Sequence, residues 1–261
     1  MKVYLRYLKM DIIRTIETKR FYFCIFSIIG IGFVSMFEMA DMYIDVMYVF
    51  GQMMSSMTSI LVFFFTAIPC AAIFEEDMEN KFYRPYIFRG NRKSYVWAKL
   101  TAIFITPIII FAAGELLFTV IISGWLPWCG DIAGSNLTFG EDRITQYLLG
   151  EKKYFIFIIC YCVQEGILLG LLNLAAAYLS LYERNRLLIW ISPALLFFFL
   201  QYLLIYANIS DLTLISYFQL TYNTYIWGIS FPYFSIGIGI LGFVFMGVLT
   251  QRKMGRILEN D

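Results

Sequence analysis

Two acids stand deep inside apolar runs of this sequence: Glu115 in IIIFAAGELLFTVII, and Glu165 in CYCVQEGILLG, where it follows Gln164. Carboxyl and amide groups at such depth have two uses. They meet a polar or cationic part of a passing ligand, or they hydrogen-bond one helix to another. Both readings stay open for Glu115, Gln164 and Glu165. By rise per residue both acids lie somewhat outward of a bilayer midplane, at depths differing by about one helical turn. Gly114 and Gly166 stand beside them and leave room for a helix or a ligand to come close. A second acidic pair, Glu75 and Glu76, has the carboxylates of a glutamate-based membrane protease, but the chain contains no histidine. That removes the commonest general base and metal ligand, and with it most of this chemistry. Cys160 and Cys162 are two apart and face different sides of a helix, with no third or fourth metal ligand in view. Cys24 and Cys70 also lie in apolar runs, where cysteine is a small hydrophobe. Cys129, in a polar loop, has no obvious partner, so no disulfide framework is expected. No metal or cofactor site is expected in the chain, and no enzymatic activity of its own.

Composition decides where such groups must sit. Of 261 residues, 60% are hydrophobic and 15% charged, and the mean hydropathy is +0.71. A soluble domain is about half apolar and a quarter charged. Lipid must therefore solvate much of this surface. The first apolar run begins only at Phe21, is long, and is followed by no small-residue cleavage pattern, so no cleavable signal peptide is expected.

A bilayer core of about 30 Å needs about twenty apolar residues as helix. Six such runs are present, near 21–37, 55–74, 100–123, 154–181, 188–207 and 231–250. The expected fold is an all-α integral membrane protein, one transmembrane domain over 1–261. Residues 1–20 carry a stripe of Leu5, Leu8, Ile12 and Ile16 with bases beside it. That pattern predicts an amphipathic helix on the inner leaflet. Of the twenty Lys and Arg residues, seventeen fall in the N-terminal segment, the 75–99 loop, the 182–187 loop and the C-terminal tail. Only Arg143, Lys152 and Lys153 fall on the other side. This asymmetry places both termini in the cytoplasm and supports an even number of spans.

The stretch FEEDMENKFYRPYIFRGNRKSYVWAK, residues 74–99, packs four acids and six bases into twenty-six positions. Topology alone explains the bases but not the aromatics Phe82, Tyr83, Tyr86 and Phe88. Aromatic anchors within a basic rim describe an interface hot spot. Residues 78–90 are therefore expected to form a short helix or turn that docks into a cytoplasmic partner. The candidate docking residues are Glu76, Glu79, Lys81, Phe82, Tyr83, Arg84, Tyr86 and Arg89.

The stretch resembles the first cytoplasmic loop of ABC-2-type ABC transporter permeases, with Phe74, Glu75, Glu76, Arg92, Tyr95 and Lys99 in matching places. The layout of six spans with a basic N-terminal helix agrees. Lys81 departs from it, standing where that family often has glycine. The resemblance implies one membrane half of an exporter, paired with a second permease half, identical or paralogous. It also implies a coupling helix that docks a separate ATP-binding subunit. The chain has no G-x-x-x-x-G-K-[ST] loop, so ATP and Mg would be bound by that subunit. The implied setting is a bacterial plasma membrane. The favoured cargo is an amphipathic or hydrophobic peptide, since relatives of this size serve peptide export and immunity. The alternatives are a permease for drugs or lipids, and a scaffold or sensor that only binds a cytoplasmic protein. No nucleic-acid partner is expected.

Overall fold

The computed structural model describes residues 2–38, 45–53, 60–81, 92–128, 148, 150–206, 225–226 and 229–260. Among these the regular elements are helices, apart from one short antiparallel pairing of β1 (Tyr225–Ile226) with β2 (Ile229–Ser230). The helices are α1 (Lys2–Ile16), α2 (Lys19–Glu38), α3 (Val46–Met53), α4 (Ile60–Ala67), α5 (Ile73–Glu79), α6 (Arg92–Ile122), α7 (Tyr154–Leu179), α8 (Arg186–Tyr206) and α9 (Phe231–Asn260). Five of them, α2, α6, α7, α8 and α9, are long and apolar enough to cross a membrane. The chain is a multi-pass helical membrane protein. Large side chains such as Leu195, Phe199, Leu241 and Phe245 face outward on α8 and α9, as a surface solvated by lipid requires.

The centre is the antiparallel pair α6 and α7. Gly166 of α7 sits against Ile108 of α6, and Gly170, one turn on, sits against Phe104, one turn back. A Cβ on Gly170 would lie 2.7 Å from the Phe104 ring and 2.9 Å from its carbonyl oxygen. Small residues thus let the two backbones approach, as they do between membrane helices generally. α2 also packs on α6, where Gly114 receives Ile28. α8 and α9 each pack on α7, and α8 also covers α4. Pro193 inside α8 deprives the Ile189 carbonyl of its helical donor. The Ser192 hydroxyl donates to that carbonyl at 2.7 Å instead.

Three sequence expectations change. The run at 55–74 is not one helix: α4 ends at Ala67, turns follow over 68–72, and α5 starts at Ile73. Pro69 has no N–H to continue the helix and disfavours helical geometry in the residue before it. The break is sealed inside protein, with Cys70 and Ala71 fully buried. Irregular backbone at membrane depth is tolerated only in such a place.

The third apolar helix begins at Arg92 rather than near 100, so Tyr95 and Lys99 belong to it. Likewise α9 continues through the basic tail to Asn260.

The third change concerns α1. It turns Tyr7 and Thr15 inward against α6, with Tyr4 and Asp11 partly buried beside them, and leaves Leu5 54% exposed. The reason is the surface it meets. The start of α6 presents Tyr95, Lys99 and Thr101, and Tyr4 bonds Thr101 between hydroxyls at 2.8 Å. Leu8 and Ile16 of the stripe pack against the buried clusters, while Leu5 stays outside.

Candidate functional site

α5 is a seven-residue helix, IFEEDME, at the end of the broken segment. Its acids are held by four helices. Asp77 is buried and accepts the Lys99 ammonium at 2.6 Å, the Arg14 guanidinium at 2.8 Å and the Tyr95 hydroxyl. Lys99 is itself only 1% exposed and reaches Asp11 of α1 at 3.2 Å. Glu76 takes Arg20 at 2.8 Å and Arg14 at 3.6 Å. Glu75 takes Arg186 of α8 at 3.0 Å, and the same guanidinium reaches Glu79. One short acidic helix is therefore tied to α1, α2, α6 and α8.

The two aspartates, Asp77 buried and Asp11 partly so, respond oppositely to this setting. Burial pushes the Asp77 carboxyl up, but Lys99, Tyr95 and Arg14 together outweigh it and hold the group below its ordinary value. For Asp11 burial wins over the pull of Lys99, and the carboxyl is raised. Arg14 has its charge further stabilised against the cost of its own burial by Asp77 and Glu76.

α5 ends on Asn80, whose amide side chain and backbone N–H both donate to the Glu76 carbonyl. Lys81 follows in the left-handed region, at φ 55°. That conformation favours glycine after a helix. The lysine thus occupies a glycine-type position at the point where the sequence departs from the permease pattern. Of the expected docking residues, Glu76 and Glu79 lie on α5 and Lys81 on its exit. Glu76 is partly buried in the charge network, while Glu79 and Lys81 are exposed. Phe82, Tyr83, Arg84, Tyr86 and Arg89 lie outside the described residues.

The intramembrane acids come together at the α6–α7 contact. With Gly166 level with Ile108, Glu165 stands near 109 and Glu115 near 159, so their Cα atoms are about six residues, or about 9 Å, apart along the axis. This is somewhat more than the one turn expected. Side chains on a helix lean toward its N-terminus, and in an antiparallel pair these two lean toward each other. Glu115 accordingly lies within electrostatic reach of Glu165, and both act on Tyr161 and Cys162 between them. Glu115 is 1% exposed, and its carboxyl oxygens have no hydrogen-bond partner among the described residues, nor has Nε2 of Gln164. The room left by Gly114 and Gly166 is filled by helices, through Ile28 and Ile108.

Sequence reasoning missed Asp11 and Arg14 as site residues and treated Asp77 only as one acid among four. The available signal was Asp11 itself, a lone acid within an otherwise basic helix. Among the described residues no group of three or more His, Cys, Asp or Glu side chains is placed to hold a metal ion. Compared with known proteins, the chain matches no family model, no curated protein and no solved structure.

Proposed function

We propose that the chain is the membrane-spanning subunit of an ABC exporter, driven by a separate ATP-binding subunit and paired with a second permease half. In this reading it lies in a bacterial plasma membrane, with both termini in the cytoplasm. The supporting observation is the anchoring of α5. Its acids are clamped to α1, α2, α6 and α8, and the chain passes directly from α5 into the aromatic-basic stretch 82–91. A push on that stretch would be delivered to four helices at once, because buried ion pairs and short helices transmit displacement rather than absorb it. Amphipathic or hydrophobic peptides are the favoured cargo. Drugs and lipids are the alternative, and Glu115, Gln164 and Glu165 are the proposed polar part of the route.

The test is coexpression with each candidate ATP-binding subunit. Replacing Phe82, Tyr83 and Tyr86 together with Ala should leave the chain in the membrane and release the subunit, since each buried anchor is worth about 2 kcal/mol or more. Copurification at full yield would place the docking elsewhere. A partner whose ATP turnover is indifferent to this chain would favour a scaffold. Cargo classes are separated by which of them stimulates ATP hydrolysis by the reconstituted complex.

A further inference from the structure

α8 and α9 diverge on the face of α7, and a groove of about 520 Å³ opens between them. Its floor is Ala175 and Tyr178 of α7; its walls include Leu195 and Phe199 of α8 and Met246 of α9, and Tyr182 lies at one end. The lining is almost wholly apolar, as a hydrocarbon chain would require.

The Tyr182 end differs in kind. The Lys253 ammonium sits 3.9 Å above the Tyr182 ring. Lys253 follows Met246 by seven residues, so it lies on the same face of α9 about 10.5 Å further along. The Tyr182 and Tyr178 hydroxyls bond each other at 2.8 Å, and Arg256 is within electrostatic reach of Tyr178. A cation held against one ring face keeps N–H donors for an anion on its open side. One residue, Tyr182, thus closes the apolar groove and seats the cation at its mouth.

We propose that this groove is a binding site for an anionic phospholipid of the leaflet on the Lys253 side, with an acyl chain between α8 and α9 and the headgroup phosphate at Lys253 and Arg256. Charge complementarity selects this occupant. A second copy lying parallel would bring its own basic ends to the same level and set like charges against the rim. A neutral lipid would leave the cations unanswered. The proposal goes beyond the transport reading and needs neither cargo nor ATP.

Native mass spectrometry of the full chain, offered phosphatidylglycerol and phosphatidylcholine of equal acyl length, tests it. The chain should retain phosphatidylglycerol preferentially. Lys253→Gln should cut that preference about fivefold, the worth of one basic residue at a lipid surface, and Lys253→Arg should keep it. Leu195→Trp, at an outward position that tolerates bulk, should reduce retention of both lipids by narrowing the groove. Excess inorganic phosphate should displace neither. Equal retention of the two lipids would overturn the proposal, as would an unchanged preference in Lys253→Gln. Full binding in Leu195→Trp would remove the acyl seat, and displacement by phosphate would reduce the site to a bare anion contact; either result sinks the idea. A stable dimer that excludes phosphatidylglycerol would hand the groove to the second copy instead.

Discussion

Asp77 and Lys99 are both almost inaccessible and stand 2.6 Å apart, so neither can lose the other cheaply. Removing one member of a buried ion pair costs about 3–5 kcal/mol because the remaining charge is stranded. Asp77→Asn should therefore lower the unfolding temperature of the purified chain sharply, whereas Lys81→Gly should raise it. The gain at Lys81 is about 1 kcal/mol, the strain of a left-handed non-glycine residue. The acid dependence follows from the same carboxylates. Asp77 is held below its ordinary value, so its stabilisation is complete above about pH 4 and fades as pH falls through its lower folded value. Asp11 is raised, so the folded chain binds its proton first and gains stability as pH drops toward about 4. Subtracting the pH–stability curve of Asp77→Asn from that of wild type should isolate a loss confined to the acid side. A flat difference would mean that the network does not bear on folding. On the proposed exporter reading, Glu165→Gln should keep assembly and basal ATP hydrolysis while removing cargo stimulation. Full transport with Gln at both 115 and 165 would leave the pair as helix-to-helix bonding alone.

At the scale of the helix, packing reads as glycine against bulk. Gly170→Val should cost about 1–3 kcal/mol, because a Cβ there meets the Phe104 ring and backbone. Gly237→Ala, which meets nothing within 4 Å, should be neutral or gain up to about 1 kcal/mol from helix propensity. The unfolding temperature of Gly170→Val should fall if α6 and α7 pack as described, while that of Gly237→Ala on α9 should hold or rise. Much of this was legible beforehand. Apolar length alone located α2, α6, α7, α8 and α9, because a membrane span leaves a long, uninterrupted signal. The break at Pro69 was not legible, since its neighbours are as apolar as any span and hydropathy ignores the missing N–H. The charge network was half legible. Its acids and bases stand out in residues 74–99, but the pairing of Lys99 with Asp11 spans 88 positions and that of Arg14 with Asp77 spans 63. No local pattern encodes such distances, and the helix start at Arg92 had first to carry Lys99 to the same level as α1.

For the whole molecule the prediction is its orientation. Single cysteines at 41, 135 and 221, in a background without other cysteines, should react with an impermeant thiol reagent from outside, and cysteines at 93 and 185 should not. Seventeen of twenty basic residues on one side motivate this, and strong outside labelling at 93 with none at 41 would reverse the assignment. The experiment also reports on the interrupted segment. If α4 and α5 together complete a crossing, residues 41 and 93 must label from opposite faces. If they form a re-entrant hairpin, both label from one face.

The sealed break between α4 and α5 also bears on how the chain is made. Its cover comes from later in the sequence: Cys70 contacts Asn173 of α7, 103 residues on, and Ala71 and Ala72 cluster with Ala176 and with Ile189 of α8. At about 5–20 residues per second, the ribosome takes about 5–20 s to supply that cover. Until then the membrane-insertion machinery holds a stretch of turns over 68–72 whose backbone has no such protein cover. The segment must settle after its successors, out of the order of synthesis. Chains truncated before residue 173 should accordingly leave the Cys70 thiol open to a membrane-permeant reagent, and chains that include α7 and α8 should shut it away.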